Sequence, residues 1–97
     1  MNKITKREIT YQIKEITGFY NGMKMMHYKG GLYTVLSQGT HSETGEDVVI
    51  YQNDADKRIW VRPLVMFYDY VDYKDKTVPR FVKLEIEEDV QLPRHYQ

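Results

Sequence analysis

The sequence predicts an all-β (mainly β) domain, a small antiparallel barrel or roll with a short N-terminal helix or an extra strand. Three observations carry this expectation. From Leu32 onward, short runs rich in Val, Ile, Tyr, Thr and Leu recur, and these residues fit a pleated, half-buried surface. Turn-forming clusters, Ser42–Gly45 and Asn53–Lys57, separate the runs. The 97 residues also include nine tyrosines. Tyrosine offers an apolar body with a polar tip, so the surplus suits a half-wet barrel core or a contact surface.

Thr5-Lys6-Arg7-Glu8 has the capping-box pattern, and Ile9, Ile13 and Ile16 then fall on one helical face, with Gly18 as a stop. Ile9, Tyr11 and Ile13 also alternate, so a strand competes for the same residues. Residues 1–22 read as an N-terminal extension, with Gly18 to Gly22 as its connection to the domain. Met23-Lys24-Met25-Met26 leads into a domain spanning 23–86. Methionine clusters either fill cores or form adaptable surfaces, and core filling is the favoured reading.

Strands are expected at Leu32–Thr40, Val48–Gln52, Ile59–Arg62, Tyr68–Tyr73 and Phe81–Ile86. The sequence Arg62-Pro63 ends the third, because proline cannot donate to a ladder and suits the first turn of a helix. Leu64 and Phe67 lie three apart, so one helical turn there would bury both. The chain becomes polar from Glu85, and 87–97 reads as a frayed tail.

Ser42-Glu43-Thr44-Gly45 fits a type I turn, with glycine supplying the left-handed residue of a bulged hairpin. That closure sets Ser42 opposite Glu46, His41 opposite Asp47, Thr40 opposite Val48, Gly39 opposite Val49 and Gln38 opposite Ile50. The Ser42 hydroxyl would bond the turn amides. His41 and Ser42 then point to opposite faces of a strand and cannot form a nucleophile–base pair. No glycine-flanked nucleophile motif is present.

Composition excludes several functions. Without cysteine there are no disulfides, no thiol catalysis and no cysteine-bound zinc. No apolar run approaches the roughly 20 residues of a membrane span, so no membrane association is expected. The basic N-terminus has no apolar stretch after it, unlike a signal peptide, and a cytoplasmic location is the expectation. His27, His41, Glu43 and Glu46 are metal-ligand types, but their spacing matches no metal motif. Asn53-Asp54-Ala55-Asp56 lacks the glycine and glutamate of a calcium loop. No metal and no cofactor are expected.

The residues with chemistry to offer are His27, Tyr28, Tyr33, His41, Glu43, Glu46, Trp60, Arg62 and Arg80. Each has a structural reading: Trp60 as a core or edge aromatic, Arg62 and Arg80 in rim ion pairs, and His41 paired with Asp47. The functional reading is that some of them line one groove beside Tyr28 or Tyr33.

The ordered set His27-Tyr28-Lys29-Gly30, Tyr33, Val35, His41-Ser42-Glu43-Thr44, Glu46, Val49, Tyr51, Trp60-Val61-Arg62-Pro63-Leu64, Met66-Phe67 and Pro79-Arg80-Phe81 resembles the domain-of-unknown-function family 1653 (DUF1653). The resemblance covers about residues 27 to 81 and implies an SH3-like barrel. It implies no activity, substrate or catalytic residue. The segment Asn53 to Ile59 is polar where the family tends to carry glycine and tyrosine, and Lys74-Asp75-Lys76 lacks a turn glycine.

Three functions compete. A protein or peptide interaction module is favoured, on the tyrosine surplus with Trp60 and the two arginines. Nucleic-acid or ribosome contact is the second, suggested by Lys29-Gly30-Gly31-Leu32-Tyr33-Thr34-Val35 and by a net +4 over residues 1–30. The formal net charge of zero weighs against it. A small-ligand or enzymatic site built on His27, His41, Glu43 and Arg62 is the third, and requires their convergence. The chain is expected to be a monomer or a homodimer paired through an edge strand.

Overall fold

The computed structural model describes residues 11–86. They form β1 (Tyr11–Lys14), β2 (Lys24–His27), β3 (Leu32–Thr40), β4 (Asp47–Asn53), β5 (Ile59–Pro63), a 3-10 turn (Leu64–Phe67), β6 (Tyr70–Tyr73), β7 (Lys76–Pro79) and β8 (Phe81–Ile86). Six strands make one antiparallel sheet in the order β1-β8-β2-β3-β4-β5, while β6 and β7 pair as a separate ribbon. The mainly β expectation holds. No described helix is long and apolar enough to cross a membrane.

Register explains which side chains enter the core. Residues directly opposite one another share a face. Met25 lies opposite Tyr33, Val35 opposite Tyr51, and His27 opposite Phe81. These alternate positions, with Val49, line the inner face. Met23, Met25, Val35 and Val49 are wholly buried, each burial stabilising the fold by roughly 1.5–3 kcal/mol. Met23 and Met25 therefore fill the core, as expected, while Met26 is half-buried on the other face. A bulge between Val35 and Ser37 lets the long β3 bend. The 3-10 turn delivers Phe67 to the core and half-buries Leu64, as the spacing of those two residues implied.

The N-terminal helix is not formed where the chain is described. Tyr11–Lys14 is a strand, paired with β8 through Tyr11–Ile86 and Lys14–Lys83. Thr5, Glu8 and Ile9 lie outside the described residues. On a helix Ile13 and Ile16 would share a face, but Ile13 is 64% exposed and Ile16 only 4%. The open edge of β8 offers a ladder, and Lys14 bonds Glu85 across it at 3.1 Å. β2 and β7 are additional to the expected strands, and β6 begins at Tyr70 rather than Tyr68. Pro63 belongs to β5 and pairs with Val48.

The β3–β4 register differs from expectation by one residue. Thr40 faces Asp47, Gly39 faces Val48, and Gln38 faces Val49. The loop is Ser42–Gly45, closed by the His41 N–H donating to the Glu46 carbonyl at 2.8 Å. The Gly45 N–H returns to the His41 carbonyl at 2.9 Å, with Gly45 at φ 77°. The cause is His41. Its Nδ1 accepts the amides of Glu43 and Thr44 at 3.1 and 3.3 Å, the role assigned to the Ser42 hydroxyl. The bulged three-residue closure does occur, one hairpin earlier. There the Gly30 N–H bonds the His27 carbonyl, the His27 N–H bonds the Gly31 carbonyl, and Gly30 has φ 103°.

Candidate functional site

The site is built around the ring of Phe81, which opens β8 and is 3% exposed. His27 closes β2 directly opposite. Four rings surround that of Phe81: Phe67 at 5.0 Å, His27 at 5.1 Å, Tyr33 at 5.8 Å and Tyr51 at 6.0 Å between centroids. The His27, Tyr33 and Tyr51 rings meet Phe81 edge to face, the arrangement that the aromatic quadrupole favours.

Arg62 enters this cluster from β5. It lies opposite Val49, so its side chain shares the inner face. The guanidinium carbon sits 5.5 Å from the Phe81 centroid and 5.6 Å from that of Phe67. Its Nε donates to the Tyr51 hydroxyl at 3.3 Å. Arg62 is half-buried, yet among the described residues no carboxylate pairs with it. An arginine over aromatic faces is partly compensated by cation–π attraction, and among the described residues its two terminal NH2 groups have no carboxylate, so they can take an anion.

His27 lies among three cations, Arg80, Arg62 and Lys29. Burial first, then the charges of Arg80, Arg62 and Lys29, push its pKa below the usual histidine value. Its Nδ1 accepts the Lys29 amide at 3.2 Å, so the neutral ring carries its proton on Nε2. Tyr28 stacks on His27 at 4.5 Å and meets Tyr73 of the ribbon at 5.1 Å. Lys29 lies 5.8 Å from the Tyr28 ring centre.

Arg80 has a different task. Its Nε bonds both Asp69 oxygens, at 3.1 and 3.2 Å, and its N–H bonds the Asp69 carbonyl at 3.0 Å. Asp69 precedes β6 and Arg80 follows β7, so the pair closes the base of the ribbon. Trp60 lies opposite Tyr51 on the inner face. It is 43% exposed, with the Arg58 guanidinium 5.4 Å from its ring.

His27, Tyr33 and Arg62 therefore gather around Phe81, with Tyr28 against His27 and Arg80 preceding Phe81 in the chain, while Trp60 shares the inner face two residues before Arg62. His41, Glu43 and Glu46 are exposed at the tip of the β3–β4 hairpin. The nine residues of β3 separate His27 from His41, about 30 Å along an extended strand. The constellation of His27, His41, Glu43 and Arg62 is not assembled. Among the described residues no three His, Asp or Glu side chains are grouped to hold a metal.

Sequence reasoning missed Tyr51, Phe67, Phe81, Lys29 and Tyr73 as site residues. Counting outward from the Asn53–Arg58 turn would have placed Tyr51 beside Trp60. The long-range approach of Phe81 to His27 has no local signal.

The family profile described as "Protein of unknown function (DUF1653)" matches residues 23–83. The structure is similar to the crystal structure of a protein belonging to DUF1653 from Bordetella bronchiseptica. The two share 29% identity and a TM-score of 0.61, over 72% of this chain and 92% of that one. No curated protein matches.

Proposed function

This chain belongs to the DUF1653 family, and on that premise we propose that its domain is an SH3-like interaction module that takes an acidic peptide segment on the face around Arg62. The observation that carries the reading is Arg62 itself: a half-buried guanidinium over two aromatic rings, without a carboxylate partner among the described residues. A peptide carboxylate would meet that fork in bidentate fashion, and the neutral His27 would offer its Nε2–H beside it. Tyr28 and Tyr33 would cover the apolar part of the segment.

The same face suits nucleic acid less well. Tyr51, Phe67 and Phe81 are buried, with Tyr51 edge to face against the other two, so they offer no open platform for a base. Arg80 is already neutralised by Asp69. A strand of phosphates needs several free cations along its path.

The test is titration of the protein with a labelled glutamate-rich peptide containing one aromatic residue, with a lysine-rich peptide and an oligonucleotide beside it. The glutamate-rich peptide should bind alone. Arg62→Met should weaken it by roughly 10- to 100-fold, as expected for one charge-assisted pair. Equal binding of both peptides, no loss in R62M, or preference for the oligonucleotide would overturn the reading.

A further inference from the structure

The sheet ends at β5, and its edge follows from hydrogen-bond parity. The Asn53 N–H donates to the Arg58 carbonyl at 2.9 Å, so Arg58 turns its carbonyl towards β4. Directions alternate along a strand. Trp60, opposite Tyr51, and Arg62, opposite Val49, therefore also face β4. Ile59, Val61 and Pro63 turn theirs outward. Pro63 has no N–H, and its outward position is the one place where a strand loses no bond of its own sheet for it. Among the described residues the edge is otherwise unpaired and apolar: Ile59 is 55% exposed, Trp60 43% and Val61 62%.

We propose that two copies of this chain pair antiparallel through β5 about a two-fold axis at Val61. This register uses the full length of β5. Each Val61 exchanges both backbone bonds with the second copy's Val61, and each Ile59 N–H reaches the second copy's Pro63 carbonyl. On the outer face the side chains of Val61 meet each other, and those of Ile59 meet Pro63. On the inner face Trp60 stands opposite the second copy's Arg62, as an aromatic ring against a guanidinium. The arrangement is self-complementary in charge as well as shape, because no arginine faces an arginine. A second copy thus brings a tryptophan to the Arg62 face, although the pairing itself does not depend on peptide binding there. The buried area of one short strand pair is small, so the association is weak and concentration-dependent.

The experiment uses the full chain without added peptide. Sedimentation velocity from about 5 to 500 µM spans the expected range. The weight-average mass should rise from 11.6 kDa towards twice that value. Trp60 is the sole tryptophan, and its emission should shift to shorter wavelength in step. Val61→Lys sets like charges on the axis and should hold the chain monomeric. Val61→Pro removes an outward N–H and leaves the β4–β5 ladder intact, so it should do the same. Ile13→Lys, on the opposite edge strand and 64% exposed, should change nothing. A monomeric mass throughout overturns the pairing and leaves the edge to a strand of another protein. Association that survives V61K, or that I13K abolishes, overturns it equally.

Discussion

Replacing His41 tests whether a histidine at a hairpin tip is a reactive group or a piece of turn. The structure contains its own control, because the β4–β5 turn repeats the β3–β4 turn atom for atom. Asn53 holds the place of His41. Its Oδ1 accepts the Ala55 and Asp56 amides at 2.8 and 3.1 Å, as His41 Nδ1 accepts those of Glu43 and Thr44. The Asn53 N–H bonds the Arg58 carbonyl, and the Lys57 N–H bonds the Asn53 carbonyl, as His41 bonds Glu46 and Gly45. Asp56 accepts the Arg58 amide where Thr44 accepts that of Glu46. Nδ1 and Oδ1 stand at the same bond distance from the backbone, so an imidazole can stand in for an Asx turn. His41→Ala frees two exposed amides that water then solvates, a net loss of about 0.5–1.5 kcal/mol. His41→Asn restores the acceptor and should stay within about 0.5 kcal/mol of the parent. Urea melts of the parent and both variants, with a shared m-value, measure this. If H41N is as destabilised as H41A, the histidine ring does something other than cap the turn. If neither variant changes stability, the two hydrogen bonds contribute nothing.

The same pair of turns makes Lys57→Gly a stabilising change. Lys57 sits at φ 65° where Gly45 sits at φ 77°, and relief of left-handed strain should add about 0.5–1 kcal/mol by thermal melt. His27 makes stability depend on pH. Its native pKa is held below the ordinary 6.5, so the unfolded chain takes up the proton first. The contribution is complete above about 6.5 and is lost as pH falls through the native value. His27→Phe keeps a ring against Phe81 and should flatten that slope in chemical denaturation between pH 7.5 and 5; an unchanged slope refutes the assignment. Asp54 acts at lower pH. Burial raises its pKa, but hydrogen bonds from Lys24 and Thr34, both at 2.7 Å, outweigh that and hold it below the usual carboxylate range. Its contribution is present above the ordinary value and disappears as pH falls through the depressed one. Asp54→Ala should cost about 1–2 kcal/mol at pH 7, read by urea melt, and should remove that acid loss.

The features legible in the sequence were those with local causes. Val, Ile and Tyr runs marked β3, β4, β5 and β8. The interval between Leu64 and Phe67 marked the 3-10 turn. β2 was hidden because Lys24-Met25-Met26-His27 has little β-propensity, and its place between β8 and β3 comes from tertiary pairing. β1 had balanced helix and strand signals, and a ladder offered from the far end of the chain decides between them. The hairpin slipped by one residue because turn preferences assign the capping role to serine, whereas here a histidine takes it. Grouping the two histidines overlooked a constraint that was available. An intervening strand as long as Leu32–Thr40 carries its flanking residues to opposite ends of a sheet. The groove residues were half legible. Some of the polar residues were expected to line one groove beside Tyr28 or Tyr33, but Phe81, the ring that His27, Tyr33 and Arg62 meet, is distant in sequence from all three.

Strand alternation gives the residues of β5 two separate tasks. Trp60 and Arg62 turn their backbones to β4 and their side chains to the aromatic face. Ile59, Val61 and Pro63 turn their backbones to the edge and their side chains to the other face. A strand that merely had to avoid edge pairing would place charges at those outward positions. This one places isoleucine and valine there, and confines its proline to the end. On one side the Asp54–Lys57 turn interrupts the ladder, and on the other Pro63 withholds a donor. The edge is therefore bounded rather than blocked. What remains between the two limits is short, apolar and matched to its own reverse, with Arg62 and Trp60 placed to meet across it.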